Sequence, residues 1–231
     1  MIDNIVANTQ RYLELRRFSG DAQYNRNLRT MQDWQQSRMA ETYWVMRQSD
    51  AEAALLNFFL TDVYNGVDLE KVGRKLKKTA KIVDTLFSDL SLVDTGIQFN
   101  TLTGEIDQQL TIHLFDNMGV SEINETLYLQ ALREVGHFEQ RHKQLELLLL
   151  FSEQMHAVLL SPSIHTTLKL SKYPAKIGGL GEFYNLIMRG YAAITDLEDS
   201  AISISKIMQH EKQVYLDIEA GSAKPFTIYS D

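Results

Sequence analysis

The stretch that decides the fold class is residues 121–160, SEINETLYLQALREVGHFEQRHKQLELLLLFSEQMHAVLL. Apolar residues recur in it every three or four positions, which is the period of an amphipathic helix. The pattern begins at Ser121, with Glu122 and Glu125 in the first turn, and one continuous helix would be about 58 Å long. A compact chain of this size has a radius of gyration of roughly 17 Å. We therefore predict a break, with Gly136 as the weakest position.

The helical period continues along the rest of the chain, and strict alternation of apolar and polar residues is hard to find. The first proline is Pro162, so the preceding chain lacks the residue that most reliably breaks helices. No stretch of the 231 residues has linker composition, which favours one hydrophobic core. We predict a single all-α domain over residues 1–221, a bundle of about seven or eight helices with a heme-oxygenase-like arrangement as one candidate. Residues 222–231 are predicted to be a loose tail that contributes little stability.

Cap and stop residues set the predicted helix bounds. Ser49 with Glu52 three residues later is a capping box, and Gly119 is a stop signal. The predicted helices cover residues 3–17, 25–47, 49–65, 68–87, 92–117, 121–160, 163–170, 180–195 and 196–219, with the sixth divided by the break.

Composition excludes several classes of protein. Hydrophobic residues make up 44% of the chain and charged residues 23%, which is a globular mixture rather than a disordered one. The net charge of -7 argues against a broad nucleic-acid surface. The absence of cysteine removes disulfides, thiolate metal sites and thiol catalysis, and it suits a reducing compartment.

Location is predicted from the N-terminus and from the longest apolar stretch. The first residues, MIDNIVANTQRYLELRR, carry acids and amides where a signal peptide needs a positive start and an apolar run. Residues 145–160 are apolar but are interrupted by Glu146, Glu153 and His156, which is too short and too charged a stretch to span a bilayer. We expect a cytoplasmic protein without a transmembrane segment.

Residues 57–64 read NFFLTDVY, and they follow Trp34-Gln35-Gln36-Ser37-Arg38 and Thr42-Tyr43. Together with Arg141, Gln144, Gly179-Leu180 and Glu211, this pattern resembles a family of bacterial proteins named for its FFLEELY motif. The likeness covers most of the chain after about residue 25. It implies an all-α fold of uncharacterised role and supplies no catalytic residues. The chain departs from the motif at Thr61, Asp62, Val63 and Asn65, so the acidic character of the motif survives only at Asp62.

Four predicted helices place an ionisable side chain on their apolar face when residues are projected at 100° intervals. These residues are Arg38, Asp62, Arg141 and Glu211. An unpaired charge in a protein interior costs several kcal/mol, so each must find a partner. Arginine matches carboxylates in bidentate geometry, and we expect the two arginines to pair with the two acids in either combination.

Two interpretations of this set remain open. In the first, a buried salt-bridge network only fixes the register of the helices. In the second, one arginine keeps a donor face for a carboxylate or phosphate, and Trp34, Gln35 and Tyr43 form the wall of a pocket. The second interpretation predicts a non-catalytic small-molecule-binding or regulatory protein with an anionic or amphipathic ligand and no cofactor.

A metal-dependent oxidoreductase of the di-iron type is an alternative, because such bundles use Glu-x-x-His pairs from two helices. Glu134 with His137 has this spacing. The other two matches, Glu139 with His142 and Glu153 with His156, lie on the same predicted helix. A second helix offers only His113, which weakens the metal hypothesis.

A protein-interaction module is a further alternative. Five basic residues between Lys71 and Lys81 share one face of a predicted helix, which could meet an acidic partner. Aromatic residues do not interleave with them, so we expect no nucleic-acid partner. Gly178-Gly179-Leu180-Gly181 precedes a predicted helix and could present backbone N–H groups to an anion, although helix packing explains it equally well. A homo-oligomer stays open.

Overall fold

The computed structural model describes residues 2–15, 20–63, 91–159, 181–197 and 200–229. These residues form eight α-helices and no β-strand, which confirms the all-α prediction. The helices are α1 (Ile2–Leu15), α2 (Ala22–Thr42), α3 (Asp50–Phe58), α4 (Ser91–Ile112), α5 (Glu125–Val135), α6 (Phe138–Leu159), α7 (Gly181–Thr195) and α8 (Ser200–Glu219). A 3₁₀ helix covers Trp44–Gln48, and π-helical turns at Phe59–Val63 and His113–Asn117 extend α3 and α4.

The helices enclose two clusters of buried apolar side chains. Helix α4 packs against α1, α2 and α6, while α6 also packs against α8 and α3 packs against α7. The first cluster includes Leu55, Phe151 and Ile187, and the second is built around Leu110 and Ile218. Among the described helices, none is both long enough and apolar enough to cross a membrane.

Side-chain caps explain where the helices begin. The hydroxyl of Ser49 accepts a hydrogen bond from the backbone N–H of Glu52 at 3.5 Å, which confirms the start predicted for α3. The predicted start at Ser121 is wrong. Asn124 caps α5 instead, since its Oδ1 accepts from the N–H of Leu127 at 3.0 Å, and Asn is as good a cap as Ser.

The break predicted at Gly136 is confirmed. Helix α5 ends there, and Gly136 has φ +68° and ψ −122°, a conformation that glycine alone adopts easily. His137 follows with φ +60°, and α6 begins at the next residue. The chain from Glu125 to Leu159 is therefore two helices with different directions.

Other predicted bounds differ by a few residues or lie outside the described residues. Helix α2 ends at Thr42, five residues before the predicted end, because the backbone tightens into the 3₁₀ helix. The predicted helices at 68–87 and 163–170 lie outside the described residues. The basic face between Lys71 and Lys81 and the glycines at 178 and 179 do so as well.

The segment 222–229 has no regular secondary structure, and several of its residues contact the helices. Gly221, with φ +85°, ends α8. Arg133 of α5 donates from Nε to the carbonyl of Ile218 at 3.1 Å and from Nη2 to the carbonyl of Ser222. Pro225 is buried, and the N–H of Tyr229 donates to the carbonyl of Thr42 at 2.9 Å. The segment therefore runs from the end of α8 to the end of α2.

Candidate functional site

Arg38 of α2 and Glu211 of α8 form a bidentate ion pair in the interior. The two Nη atoms of Arg38 lie 2.5 Å and 3.0 Å from the two carboxylate oxygens of Glu211. The side chains are only 10% and 3% exposed. Burial disfavours the charged guanidinium, but the charge and hydrogen bonds of Glu211 outweigh it and raise the pKa of Arg38. Arg38 therefore stays positively charged.

Tyr43 is a further partner of Glu211. Its hydroxyl lies 3.1 Å from Oε1 of Glu211, 3.1 Å from Nδ1 of His210 and 3.2 Å from the carbonyl of Ile207. Burial and the negative charge of Glu211 raise the pKa of Tyr43, so the phenol keeps its proton. Burial lowers the pKa of His210, which favours the neutral imidazole at pH 7.

The second buried arginine, Arg141 of α6, lies near an acid that the sequence analysis did not propose. Arg141 is 1% exposed, and its guanidinium carbon lies 5.5 Å from the ring centroid of Tyr215. Asp107 of α4 is 2% exposed and accepts a hydrogen bond from Nε2 of Gln32 at 2.9 Å. Burial raises the pKa of Asp107 to about 6, against the lowering effects of Gln32 and of the Arg141 charge.

Tyr128 of α5 joins the two arginines into one site. Burial raises its pKa, and the positive charges of Arg141 and Arg38 both act to lower it. Its hydroxyl accepts a hydrogen bond from Nε2 of Gln35 at 2.7 Å. The four charged residues are called the arginine cluster below: Arg38, Asp107, Arg141 and Glu211.

Three aromatic rings pack together, one of them on Arg38, and are called the aromatic wall: Trp34, Tyr128 and Phe226. The ring centroids of Trp34 and Tyr128 are 4.1 Å apart. Phe226, from the segment after α8, lies 6.1 Å from Trp34 and 6.2 Å from Tyr128. The guanidinium carbon of Arg38 lies 4.9 Å from the centroid of Phe226, a distance at which a cation interacts with the ring face.

A donor of Arg38 is not used within the described part of the chain. The Nε atom of Arg38 is buried and has no hydrogen-bond partner there. Buried N–H groups are paired in the great majority of cases, and an unpaired one costs roughly 1–3 kcal/mol. Arg38 thus offers one polar contact beyond its ion pair.

The structure brings together six of the residues predicted for the site, namely Trp34, Gln35, Arg38, Tyr43, Arg141 and Glu211. Asp62 is elsewhere, and Arg189 of α7 is its ion-pair partner at 2.7 Å. The expected pairing of Asp62 with Arg38 or Arg141 is therefore wrong, and Asp62 lies in the π-helical turn Phe59–Val63. A π-helical turn holds more residues than an α-helical turn, so a projection at 100° per residue fails there.

Asp107, Tyr128 and Phe226 are the site residues that the sequence analysis missed. Asp107 lies three residues before Leu110 and seven before Leu114, and both leucines are fully buried. Its position on that face was readable from the helical period. No comparable signal exists for Phe226, because the segment around it has no period.

The candidate metal residues Glu134 and His137 do not come together as a site. Glu134 bonds to Nε2 of His113 at 2.7 Å and to Gln130 at 2.8 Å, and these hydrogen bonds lower the pKa of Glu134. His137 occupies the left-handed turn after α5 and is exposed. Across the described ranges, no group of three or more histidine and carboxylate side chains is arranged to hold a metal ion.

Comparison with known proteins gives a family but no function. Neither a curated protein nor a solved structure matches the chain, so the heme-oxygenase-like arrangement stays a prediction. Residues 14–225 match the model of a family described as Domain of unknown function (DUF8198). The match contains the whole arginine cluster and ends one residue before Phe226. On this match over nearly its entire length, the chain belongs to the DUF8198 family.

Proposed function

We propose that this chain is a non-catalytic small-molecule-binding or regulatory protein whose ligand, anionic or amphipathic, binds at the arginine cluster. The observation that carries the proposal is the buried Nε of Arg38, which has no hydrogen-bond partner in the described residues. A carboxylate or phosphate oxygen is the strongest acceptor for a guanidinium N–H. Because Glu211 already holds both Nη atoms, the ligand adds to the ion pair rather than replacing it.

The charges of the cluster favour an anion when Asp107 is protonated. Two arginines and two ionised acids have no net charge, whereas protonation of Asp107 leaves one positive charge. Burial raises the pKa of Asp107 to about 6. We therefore expect anion binding to strengthen as the pH falls through about 6, because binding is then accompanied by proton uptake.

The arginines and the aromatic wall have the chemistry of a binding site. Arginine cannot act as a proton donor or acceptor near neutral pH, and the phenol of Tyr43 has a raised pKa. Trp34 and Tyr128 supply an apolar surface beside the charges. Apolar walls with a few polar groups are typical of small-molecule sites, and this combination suits an amphipathic ligand.

Native mass spectrometry of freshly purified protein, with metal analysis of the same sample, tests the proposal. Arg38→Lys is the informative variant, because lysine can still pair with Glu211 but lacks the Nε donor. Arg189→Lys is the matched control, since Arg189 forms an ion pair with Asp62 away from the cluster. We expect a bound acidic small molecule that the control retains and Arg38→Lys loses.

If Arg38→Lys and Arg189→Lys retain the ligand equally, the ligand binds away from the arginine cluster and the proposal is contradicted. Stoichiometric iron or manganese without an organic ligand would instead favour the metal-dependent alternative.

A bacterial cytoplasmic location is part of the proposal. It is supported by the absence of cysteine, which suits a reducing compartment, and by the resemblance to the FFLEELY-motif family. Fractionation of cells that express the tagged protein tests it, and recovery from an oxidising compartment would contradict it.

A further inference from the structure

The segment 222–229 supplies Phe226, the third ring of the aromatic wall, and is held near both of its ends. Arg133 holds its beginning through the carbonyl of Ser222. Its far end is held by the backbone hydrogen bond from Tyr229 to Thr42 and by the Tyr229 ring, 5.4 Å from that of Tyr43. Between these two points, Phe226 is the ring that lies against the site.

Phe226 makes the contacts that the apolar part of a ligand would make. Its half-buried ring lies on the guanidinium of Arg38 and against Trp34 and Tyr128. It brings no acceptor to the Nε of Arg38, which stays without a hydrogen-bond partner in the described residues. An aromatic ring with a carboxylate attached would reproduce the ring contacts and also supply that acceptor.

We infer that Phe226 occupies the place of the ligand's ring, so that the ligand is an aromatic carboxylate and competes with Phe226 for the rings of Trp34 and Tyr128. This inference rests on the proposed function and names its ligand class. A segment without secondary structure opens at low free energy compared with packed helices. The ligand then shifts the equilibrium towards the open state by its greater affinity for that state.

Competition between Phe226 and the ligand predicts how much the Phe226 ring weakens ligand binding. When the binding-competent state is populated only in part, the apparent dissociation constant is raised by the inverse of that population. If the segment is docked in about nine molecules of ten, removal of the Phe226 ring should tighten binding about tenfold. Truncation of the neighbouring Ile228 should not tighten binding, because Ile228 is 63% exposed.

Trp34 can report the binding directly. The chain has two tryptophans, and Trp44 is 47% exposed and outside the aromatic wall, so Trp44→Phe leaves Trp34 as the only indole. In this background we would titrate Phe226→Ala, Phe226→Leu and Ile228→Ala with 4-phenylbutyrate and follow Trp34 emission. The alcohol 4-phenylbutanol controls for the carboxylate. Phe226→Leu keeps apolar volume, which separates loss of the ring from loss of packing.

We expect both Phe226 variants to bind 4-phenylbutyrate about tenfold more tightly than the background, with Ile228→Ala unchanged and the alcohol weaker throughout. Carboxylate binding that is equally tight in every variant would overturn the competition but leave the proposed function standing. If no variant binds the carboxylate while native mass spectrometry shows another bound anion, only the aromatic class is wrong. Absence of any bound anion in both experiments overturns the inference together with the proposed function.

Discussion

The guanidinium of Arg38 contacts Phe226 through its face, with 4.9 Å between the guanidinium carbon and the ring centroid. Its two Nη atoms hold the carboxylate of Glu211. Arg38 therefore connects the interior of the helix bundle with the segment that follows α8. A change at this residue should affect both the stability of the bundle and the docking of the segment.

Substitutions at Arg38 and Glu211 should have strongly non-additive effects on the free energy of unfolding, because the two side chains form a buried ion pair. Arg38→Met or Glu211→Leu alone should lower the free energy of unfolding by about 3–5 kcal/mol, because each leaves a buried charge without its partner. The double variant should be close to the wild type, since both charges are then removed. Urea unfolding at 25 °C measures all three. A double variant that loses the sum of the two single costs would contradict this account of the pair.

The raised pKa of Asp107 should make the free energy of unfolding depend on pH. Its pKa is raised from the ordinary 3.8 to about 6, so the folded state binds this proton more tightly than the unfolded state. Protonated Asp107 therefore contributes about 3 kcal/mol to the free energy of unfolding below about pH 4. This contribution is lost as the pH rises through 6. Asp107→Asn should remove this part of the pH dependence in urea unfolding between pH 4 and pH 8.

Asp116→Asn is the control for that experiment, because Asp116 is exposed in the π-helical turn after α4. We expect it to keep the wild-type slope. The same slope in wild type and Asp107→Asn would show that burial of Asp107 does not set the pH dependence.

The cap of α5 can be tested with two neighbouring residues. Asn124→Ala should lower the free energy of unfolding by about 1 kcal/mol, because the N–H of Leu127 loses its acceptor. Ser121→Ala should change it by less than about 0.5 kcal/mol, as expected for an exposed position. Thermal unfolding of the two variants shows which residue caps α5. A larger effect at Ser121 than at Asn124 would support the helix start that the sequence predicted.

Two helix glycines should respond in opposite ways to alanine. At Gly104 an added Cβ would lie 3.5 Å from Leu15, so Gly104→Ala should stabilise by about 0.5–1 kcal/mol through helix propensity. At Gly190 the Cβ would lie 3.0 Å from both Met155 and Phe58, and such overpacking costs about 1–3 kcal/mol. Unfolding midpoints should rise for the first variant and not for the second. A stabilised Gly190→Ala would mean that α7 moves freely against α3 and α6.

The elements that the sequence predicted well are those fixed by local patterns. The helical period, the Ser49 cap and the break at Gly136 depend on residues close in the chain, and each is confirmed. Arg38 and Glu211 were found because a charge on an apolar face needs a partner wherever its helix packs. Which partner it takes depends on tertiary packing, and the period could not supply it.

The residues that the sequence missed depend on departures from that period. Asp62 lies in a π-helical turn and pairs with Arg189, a partner that a projection at α-helical spacing does not identify. Asp107 lies on the face of α4 that carries the buried Leu110 and Leu114, so its burial follows from the helical period. Phe226 lies in a segment without periodicity, and its docking depends on Trp34 and Tyr128, which are distant in sequence.

Gly136 has no side chain to offer a ligand, yet the site depends on it. Its φ of +68° with ψ of −122° turns the chain between α5 and α6, and the turn lets Tyr128 and Arg141 reach the same cluster. Any other residue is strained in that conformation. Selection on this family should therefore hold Gly136 as strictly as the arginines. A substitution at Gly136 should therefore disturb the arginine cluster from a position that contributes no side chain to it.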